Sequence, residues 1–314
     1  MPLDPQAISF LNQLASLNAP PLPEMSPQQA RGMNGVMKDL AGVPEPVAKA
    51  EEIPVPVDGG EIAVRFYTPE REGRLPIFVY YHGGGWVLGN LDVVDAPMRT
   101  IANRVGCIVA SVDYRLAPEF KFPVALEDCY RATCWVKENA ARLNGDASRI
   151  AIGGDSAGGN MAAVVAQLAK QRKDLQLISQ ILIYPVTHIN SNTQSYREFS
   201  EGYFLSKADM DWFTNHYIRT GADAENVLLS PLLADDLSDL PPALVITAEY
   251  DPLRDEGEAY AARLKEAGVP VELTRYEGMM HGFVWMSGVM DKGRSAIEQV
   301  ARSLRSAFVE QDNL

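Results

Sequence analysis

Apolar residues recur along this chain at two spacings, and the changes from one to the other divide it into parts. Residues 5–18 (PQAISFLNQLASLN) and 26–41 (SPQQARGMNGVMKDLA) carry Ile8, Leu11 and Leu14, then Met33, Val36, Met37 and Leu40, at helical intervals, with Pro20, Pro21 and Pro23 between. Two short helices are therefore expected ahead of the first strand. Residues 51–68 instead alternate, with Ile53, Val55 and Val57 on one side of Asp58-Gly59-Gly60 and Ile62, Val64 and Phe66 on the other. Such alternation about Asp-Gly predicts a hairpin, so an antiparallel edge opens the sheet. Beyond it, short apolar runs at 77–81, 107–112, 150–153, 180–184, 243–247 and 271–276 are separated by helical patterns at about 124–143, 160–172, 253–267 and 296–308, with Gly268 placed to stop the third of these. Strands alternating with helices of this length predict an α/β fold, with a mostly parallel central sheet covered by helices on both faces.

The interval between the strands ending near 184 and starting near 243 is too long for a connection. Residues 188–226 within it hold Tyr196, Phe199, Tyr203, Phe204, Trp212, Phe213 and Tyr217, and are read as a helical insertion over the active face. The expected division is N-terminal helices in 1–50, a main domain of 51–187 and 227–314, and the insertion at 188–226.

One stretch joins strand to helix through a serine. In residues 150–161, IAIGGDSAGGNM, an apolar strand runs into Gly154-Asp155-Ser156-Ala157-Gly158 and a helical pattern follows without a break. A nucleophile held in so sharp a turn needs small residues two before and two after it, which Gly154 and Gly158 supply, and the new helix aims its free N–H groups at any anion formed beside Ser156. With 24 glycines in the chain the bare Gly-x-Ser-x-Gly pattern is weak, so the assignment depends on a base, an orienting acid and oxyanion donors elsewhere.

A serine hydroxyl needs a base within hydrogen-bond reach and a third group to hold that base. Of the four histidines, His82 precedes the serine, His188 and His216 fall in the insertion, and His281 follows the last core strand, at the end where parallel sheets gather their sites. His281 is the expected base. The strand ALVIT runs out into Ala248-Glu249-Tyr250-Asp251-Pro252, and Asp251 is the expected acid, in preference to Glu249 and to Asp255 and Glu258 further along, although an Asp before Pro also suits a helix N-cap. The order Ser156, Asp251, His281 is that of the α/β-hydrolase arrangement. The run Tyr81-His82-Gly83-Gly84-Gly85-Trp86 leaves a strand end with three glycines; Gly83 and Gly84, with Ala157, are the expected oxyanion donors, and His82 is expected to pin that loop. It matches neither phosphate-binding glycine pattern. Trp86, Tyr184, Phe204 and Phe213 are the expected substrate-binding side chains.

Composition narrows the partners. Hydrophobic content of 46% and charged content of 22% are those of an ordinary globular chain, and the net charge of −13 disfavours nucleic acid. No apolar run spans a membrane, and MPLDPQAISF has neither a basic nor an apolar leader segment, so a cytoplasmic protein is expected. Cys107, Cys129 and Cys134 lack metal spacing and read as reduced thiols in or near the core.

HGGGW at 82–86, DYRLAPE at 113–119, GDSAGGN at 154–160, AEYDPLRDEG at 248–257 and HGF at 281–283, in that order, resemble the bacterial hormone-sensitive-lipase-like esterases of the α/β-hydrolase superfamily. The resemblance implies a cap made of the N-terminal helices and the insertion, a carboxylesterase acting on short- to medium-chain acyl esters through an acyl-enzyme, no cofactor or metal, and often a homodimer. The same machinery serves amidases, thioesterases and lactone or carbamate hydrolases, and these remain alternatives. A ligand-binding receptor on an inactive scaffold is opposed by the presence of both His281 and Asp251.

Overall fold

The computed structural model describes residues 2–312. Helix α1 (Pro5–Ser16) is followed by α2 (Pro27–Arg31) and α3 (Asn34–Leu40). The helix expected over 26–41 is thus two: α2 starts on a reciprocal Ser26–Gln29 capping box and stops at Gly32, and α3 restarts one residue on. Strands β1 (Lys49–Val57) and β2 (Gly60–Thr68) pair antiparallel, with Val57 opposite Gly60 across the two-residue turn Asp58-Gly59. Pro54 and Pro56 cannot donate to a ladder, and β1 has the outermost position where that is tolerated.

The rest alternates: β3 (Leu75–Tyr81), α4 (Asp95–Val105), β4 (Ile108–Asp113), α5 (Val124–Asn139), β5 (Gly145–Asp155), α6 (Ala157–Arg172), β6 (Ser179–Ile183), α7 (Gln194–Glu198), α8 (Lys207–Tyr217), β7 (Ala243–Tyr250), α9 (Arg254–Glu266), β8 (Val271–Met280) and α10 (Asp291–Asp312). The eight strands form one sheet in the order β1-β2-β4-β3-β5-β6-β7-β8, antiparallel from β1 to β4 across β2 and parallel from there on. Helix α4 was not expected. Its signals were present: Pro97 in its first turn, Met98, Ile101, Ala102 and Val105 buried on one stripe, and Gly106 closing it in the left-handed conformation.

Period-two alternation builds two cores from one sheet. Ile77, Val79 and Tyr81 of β3 join the core under α5, α6 and α9, while Phe78 and Tyr80 join the one under α4 and α10. Both faces being covered, the strands read as continuous apolar runs. The carboxyl ends of the parallel strands open toward one edge, and there β3, β5, β7 and β8 deliver the residues of interest. No described helix is long and apolar enough to cross a membrane, and the three cysteines are buried and unpaired.

Candidate active site

Ser156 is the single residue between β5 and α6, at φ 56° and ψ −118°. A residue with a side chain is strained there. The strain is imposed by close passage of three backbones: a Cβ on Gly154 would collide with Gly158 and lie 2.5 Å from the Tyr81 carbonyl oxygen, and one on Gly158 would strike that carbonyl as well. The turn is further pinned by Ser156 N–H donating to the Ile183 carbonyl at 2.9 Å.

Three strand ends bring three side chains into line. His281, just past β8, has Nε2 2.9 Å from Ser156 Oγ and Nδ1 2.7 Å from Asp251 Oδ2. Asp251, just past β7, is fully buried, and its other oxygen accepts the Leu253 N–H at 2.9 Å. A carboxylate can only accept, so Nδ1 carries the proton and Nε2 is left to accept from the serine hydroxyl. The competitors are engaged elsewhere. Glu249 accepts from Gly278 N, Asp255 from Ser195 N, and Glu258 binds Arg275. His216 Nδ1 meets the Trp212 carbonyl inside its own helix.

The glycine loop corrects one expectation. Gly83 N–H donates to Asp155 Oδ1 at 2.8 Å, so it is not free to meet an anion. The N–H groups of Gly84, Gly85 and Ala157 have no acceptor among the described residues. Around the loop, Tyr114 lies stacked on His82 at 4.3 Å and its hydroxyl donates to the His82 carbonyl at 2.7 Å, while His82 Nδ1 donates to the Gly83 carbonyl at 2.7 Å.

A family model described as alpha/beta hydrolase fold matches residues 78–285, from β3 through the loop that carries His281. The chain belongs to this α/β-hydrolase family. It is 40% identical over 285 residues to an arylesterase of Saccharolobus solfataricus, covering 90% of this chain and 93% of that one. It is 43% identical to the carboxylesterase NlhH of Mycobacterium tuberculosis over 87% of this chain and 88% of that one. Among solved structures, a hyperthermophilic esterase of Pyrobaculum calidifontis superposes with a TM-score of 0.93 at 46% identity, covering 98% and 99% of the two chains.

The covering of this α/β-hydrolase site comes from segments outside the strand–helix alternation. Phe10 of α1 meets Phe204 edge-on at 5.5 Å, and Phe204 in turn packs toward Trp285 and Gly282, beside His281. Phe213 of α8 lies so close over Gly85 that a Cβ there would fall on its ring. Phe204 and Phe213 thus sit by the reacting groups. Two other expected pocket residues do not present a surface to substrate. Trp86 is fully buried, stacked on Tyr217 at 4.6 Å, where it fastens α8 to the glycine loop. Tyr184, buried between His281 and Phe283 with its ring 4.5 Å from the imidazole, backs the base.

The stems of the 188–226 segment are tied by polar side chains that the sequence reading passed over. Asn160, one turn into α6, donates from one amide nitrogen to the carbonyls of Val186 and Leu229 at 2.9 and 2.8 Å, one on each stem. Glu256 of α9 accepts from the N–H groups of Thr187 and His188 at 2.8 and 3.2 Å. It is fully buried with no cation paired to it among the described residues, and burial pushes its carboxyl up to about 8. The signal for Asn160 is its place in GDSAGGN, and that for Glu256 its place in AEYDPLRDEG, two motifs whose polar members, Ser156 and Asp251 apart, carry no expected role.

Proposed function

We infer that this chain is a serine carboxylesterase in which Ser156 is the nucleophile, His281 the general base, Asp251 the residue that orients it, and Gly84, Gly85 and Ala157 the oxyanion donors. The observation that carries the reading is the continuous hydrogen-bonded line from Ser156 Oγ through His281 to Asp251, at 2.9 and 2.7 Å. Ester hydrolysis is the activity by which these relatives are named.

In this mechanism Ser156 Oγ attacks the ester carbonyl carbon as its proton passes to His281 Nε2. The carbonyl π pair moves onto oxygen, and the three backbone N–H groups stabilise that charge. The oxyanion then re-forms the carbonyl and expels the alcohol, which takes the proton from His281. Water, deprotonated by the same imidazole, attacks the acyl-enzyme and returns Ser156 with the free acid. Asp251 keeps the proton on Nδ1 and stabilises the imidazolium that forms twice in each cycle.

The helices within 1–50 and the insertion at 188–226 form the cap that roofs the acyl chain. Phe204 and Phe213 touch the acyl group in this reading. What supports it is that their rings lie beside Gly282 and Gly85, next to the base and the oxyanion loop. Acyl chains of short to medium length are the substrates proposed, and the cytoplasm is the location proposed, in keeping with three buried, unpaired cysteines. A panel of p-nitrophenyl esters graded by acyl length, run beside amide and thioester analogues, tests this. Each methylene buried gains about 0.8 kcal/mol, roughly four-fold in kcat/KM, until the pocket ends. An optimum near butyrate or hexanoate is expected, with esters preferred; a faster amide or thioester would replace the ester assignment.

A further inference from the structure

Asp155 stands immediately before the nucleophile, is fully buried, and takes no part in the reaction as described. One of its oxygens, Oδ1, accepts two hydrogen bonds: from the Tyr80 hydroxyl at 2.6 Å and from Gly83 N–H at 2.8 Å. Tyr80 lies in β3 and Gly83 is the second residue beyond that strand, so the carboxylate bridges the strand and the loop that leaves it. No cation pairs with it among the described residues. Contact is close enough that a Cβ on Gly83 would run into the carboxylate itself, which accounts for the first glycine of the three.

The backbone geometry that follows is determined link by link. The peptide joining His82 to Gly83 is held at both ends, its N–H by Asp155 and its carbonyl by the Tyr114 hydroxyl at 2.7 Å. In the next peptide the Gly83 carbonyl accepts from His82 Nδ1 at 2.7 Å. A trans peptide points its N–H opposite to its carbonyl, so fixing that carbonyl fixes the direction of Gly84 N–H, the first donor without an intramolecular acceptor. Gly84 and Gly85 both have positive φ, at 114° and 58°, and a three-glycine loop with that freedom does not keep its N–H groups converged unaided. Donors aimed before the reaction begins are what makes an oxyanion site effective, and the aim must hold to a fraction of an ångström.

We propose that Asp155 is a positioning residue of the esterase reaction, whose carboxylate clamps the oxyanion loop onto the serine elbow and thereby sets the direction of the Gly84 and Gly85 N–H groups. The proposal rests on the assignment of those groups, with Ala157, as oxyanion donors. Its consequence is that Asp155 contributes to the stabilisation of the tetrahedral oxyanion while touching neither substrate nor the Ser156 hydroxyl. The two sequence motifs HGGGW and GDSAGG are then one device: the aspartate of the second holds the first glycine of the first.

The test compares Asp155→Ala and Asp155→Asn with the parent on p-nitrophenyl butyrate, with Ser156→Ala as control. Each is also titrated with an alkyl trifluoromethyl ketone of matched length, which adds Ser156 Oγ to its carbonyl carbon, passes the serine proton to His281 and leaves an oxyanion at the same donors. Asp155→Ala is expected to lower kcat roughly 100-fold with KM within a factor of about three. Ketone affinity should fall by the same factor as kcat/KM, and the acid limb of the pH profile, which reports the imidazole, should stay in place. Asp155→Asn keeps an acceptor for both donors but loses the charge that strengthens them, so it should recover about ten-fold of the loss. If Asp155→Ala does not fold, the Asn variant decides, with kcat and ketone affinity falling together by about ten-fold. Parent-like kcat in the folded variants, or a loss in kcat that ketone affinity does not follow, overturns the clamp. An active Ser156→Ala overturns instead the site on which it rests.

Discussion

The strand ends that carry Ser156, Asp251 and His281 and the segments that cover them are held by different means. In the body each reactive side chain is one or two residues from the end of a strand, so the sheet delivers it: β5 to Ser156, β7 to Asp251, β8 to His281. Main-chain contact completes the placement, as with Ser156 N–H on the Ile183 carbonyl. In the covering segments no strand does this. Helix α7 has only five residues, and beside a few main-chain bonds, such as Phe122 N–H to the Tyr217 carbonyl at 2.9 Å, the segment depends on side chains: the Asn160 amide on both stems, Glu256 on one, and the rings of Phe10, Phe204, Trp86 and Tyr217 above. Backbone-delivered positions tolerate change in what surrounds them, whereas side-chain-fastened ones change with any single partner. In the reading proposed above, one body then serves many acyl groups while the cover selects among them.

The comparison is broken at once if the body does not hold the chemistry. Ser156→Ala should lower turnover about a million-fold, since members of such a triad act as a unit, and an organophosphonate should label the parent once, on the peptide containing Ser156. Asp251→Asn should cost about 10⁴-fold by leaving the imidazole in the wrong tautomer. Stopped assays at high enzyme concentration measure both. Turnover near the parent's in either would place the reacting groups elsewhere.

A substitution where body and cover touch sharpens it. At Gly85 an added Cβ would meet the Phe213 ring, and its φ of 58° already disfavours a side chain. Gly85→Ala should lower kcat by about 10² by displacing an oxyanion donor. In Gly85→Ala with Phe213→Ala the steric part is relieved, so part of the loss returns, measured as kcat on p-nitrophenyl acetate. No recovery in the double variant would mean that the loop's own backbone, and not the cover, sets the donor.

The same division decides what the sequence made legible. The succession of strands and helices along the chain, the hairpin turn, the elbow and the order of Ser156, Asp251 and His281 all follow from local patterns, because a period of two, a glycine or a residue after an apolar run is visible without knowing what packs where. Three consecutive glycines look alike in sequence, so the engagement of the Gly83 N–H is not legible there; only its contact with Asp155, 72 positions away, separates it from Gly84 and Gly85. Trp86 and Tyr184 were read as pocket residues for the similar reason that an aromatic near a site does not declare which side it faces. In the structure both are fastened inward, to Tyr217 and to His281. The break between α2 and α3 was missed because the apolar spacing runs on through Gly32.

A smaller effect is expected where the N-terminal helices are stitched to the body. Arg31 of α2 donates to the carbonyls of Val87 and Ala117 at 2.9 and 2.7 Å and pairs with Glu119 through both ends of its guanidinium. The exposed Glu119 pair contributes little, but two carbonyls behind the glycine loop lose their donor in Arg31→Ala, at a cost of about 1–3 kcal/mol. Thermal unfolding should shift down by about 5 °C, and the acyl-length profile should flatten more than acetate turnover falls. An unchanged profile would make these helices packing only, with no part in selecting the acyl chain.

The smallest effect expected concerns Glu256 and builds up as pH rises from about 4.5 to about 8. Its carboxyl is buried without a cation, and burial holds its folded-state value up near 8, well above the usual range for a glutamate. Folding therefore retains a proton that the unfolded chain gives up from about pH 4.5, so this group's contribution to stability is complete below that value and is lost as pH rises through about 8. Above 8 the charge must form beside buried Asp251, with Oε2 lacking a hydrogen-bond partner among the described residues. Glu256→Gln copies the protonated form: its carbonyl oxygen still accepts from Thr187 and His188, and no charge can develop. The variant should match the parent's unfolding temperature near pH 5 and exceed it by a few degrees near pH 9, with the difference opening between the two. Because Glu256 fastens a stem of the insertion to the helix that follows Asp251, the parent alone should also lose its acyl-length preference at the upper end of that range. Parallel unfolding curves for the two proteins from pH 5 to 9 would mean that the carboxylate is stabilised by the stem as it stands, and that the cover is as indifferent to charge as the body beneath it.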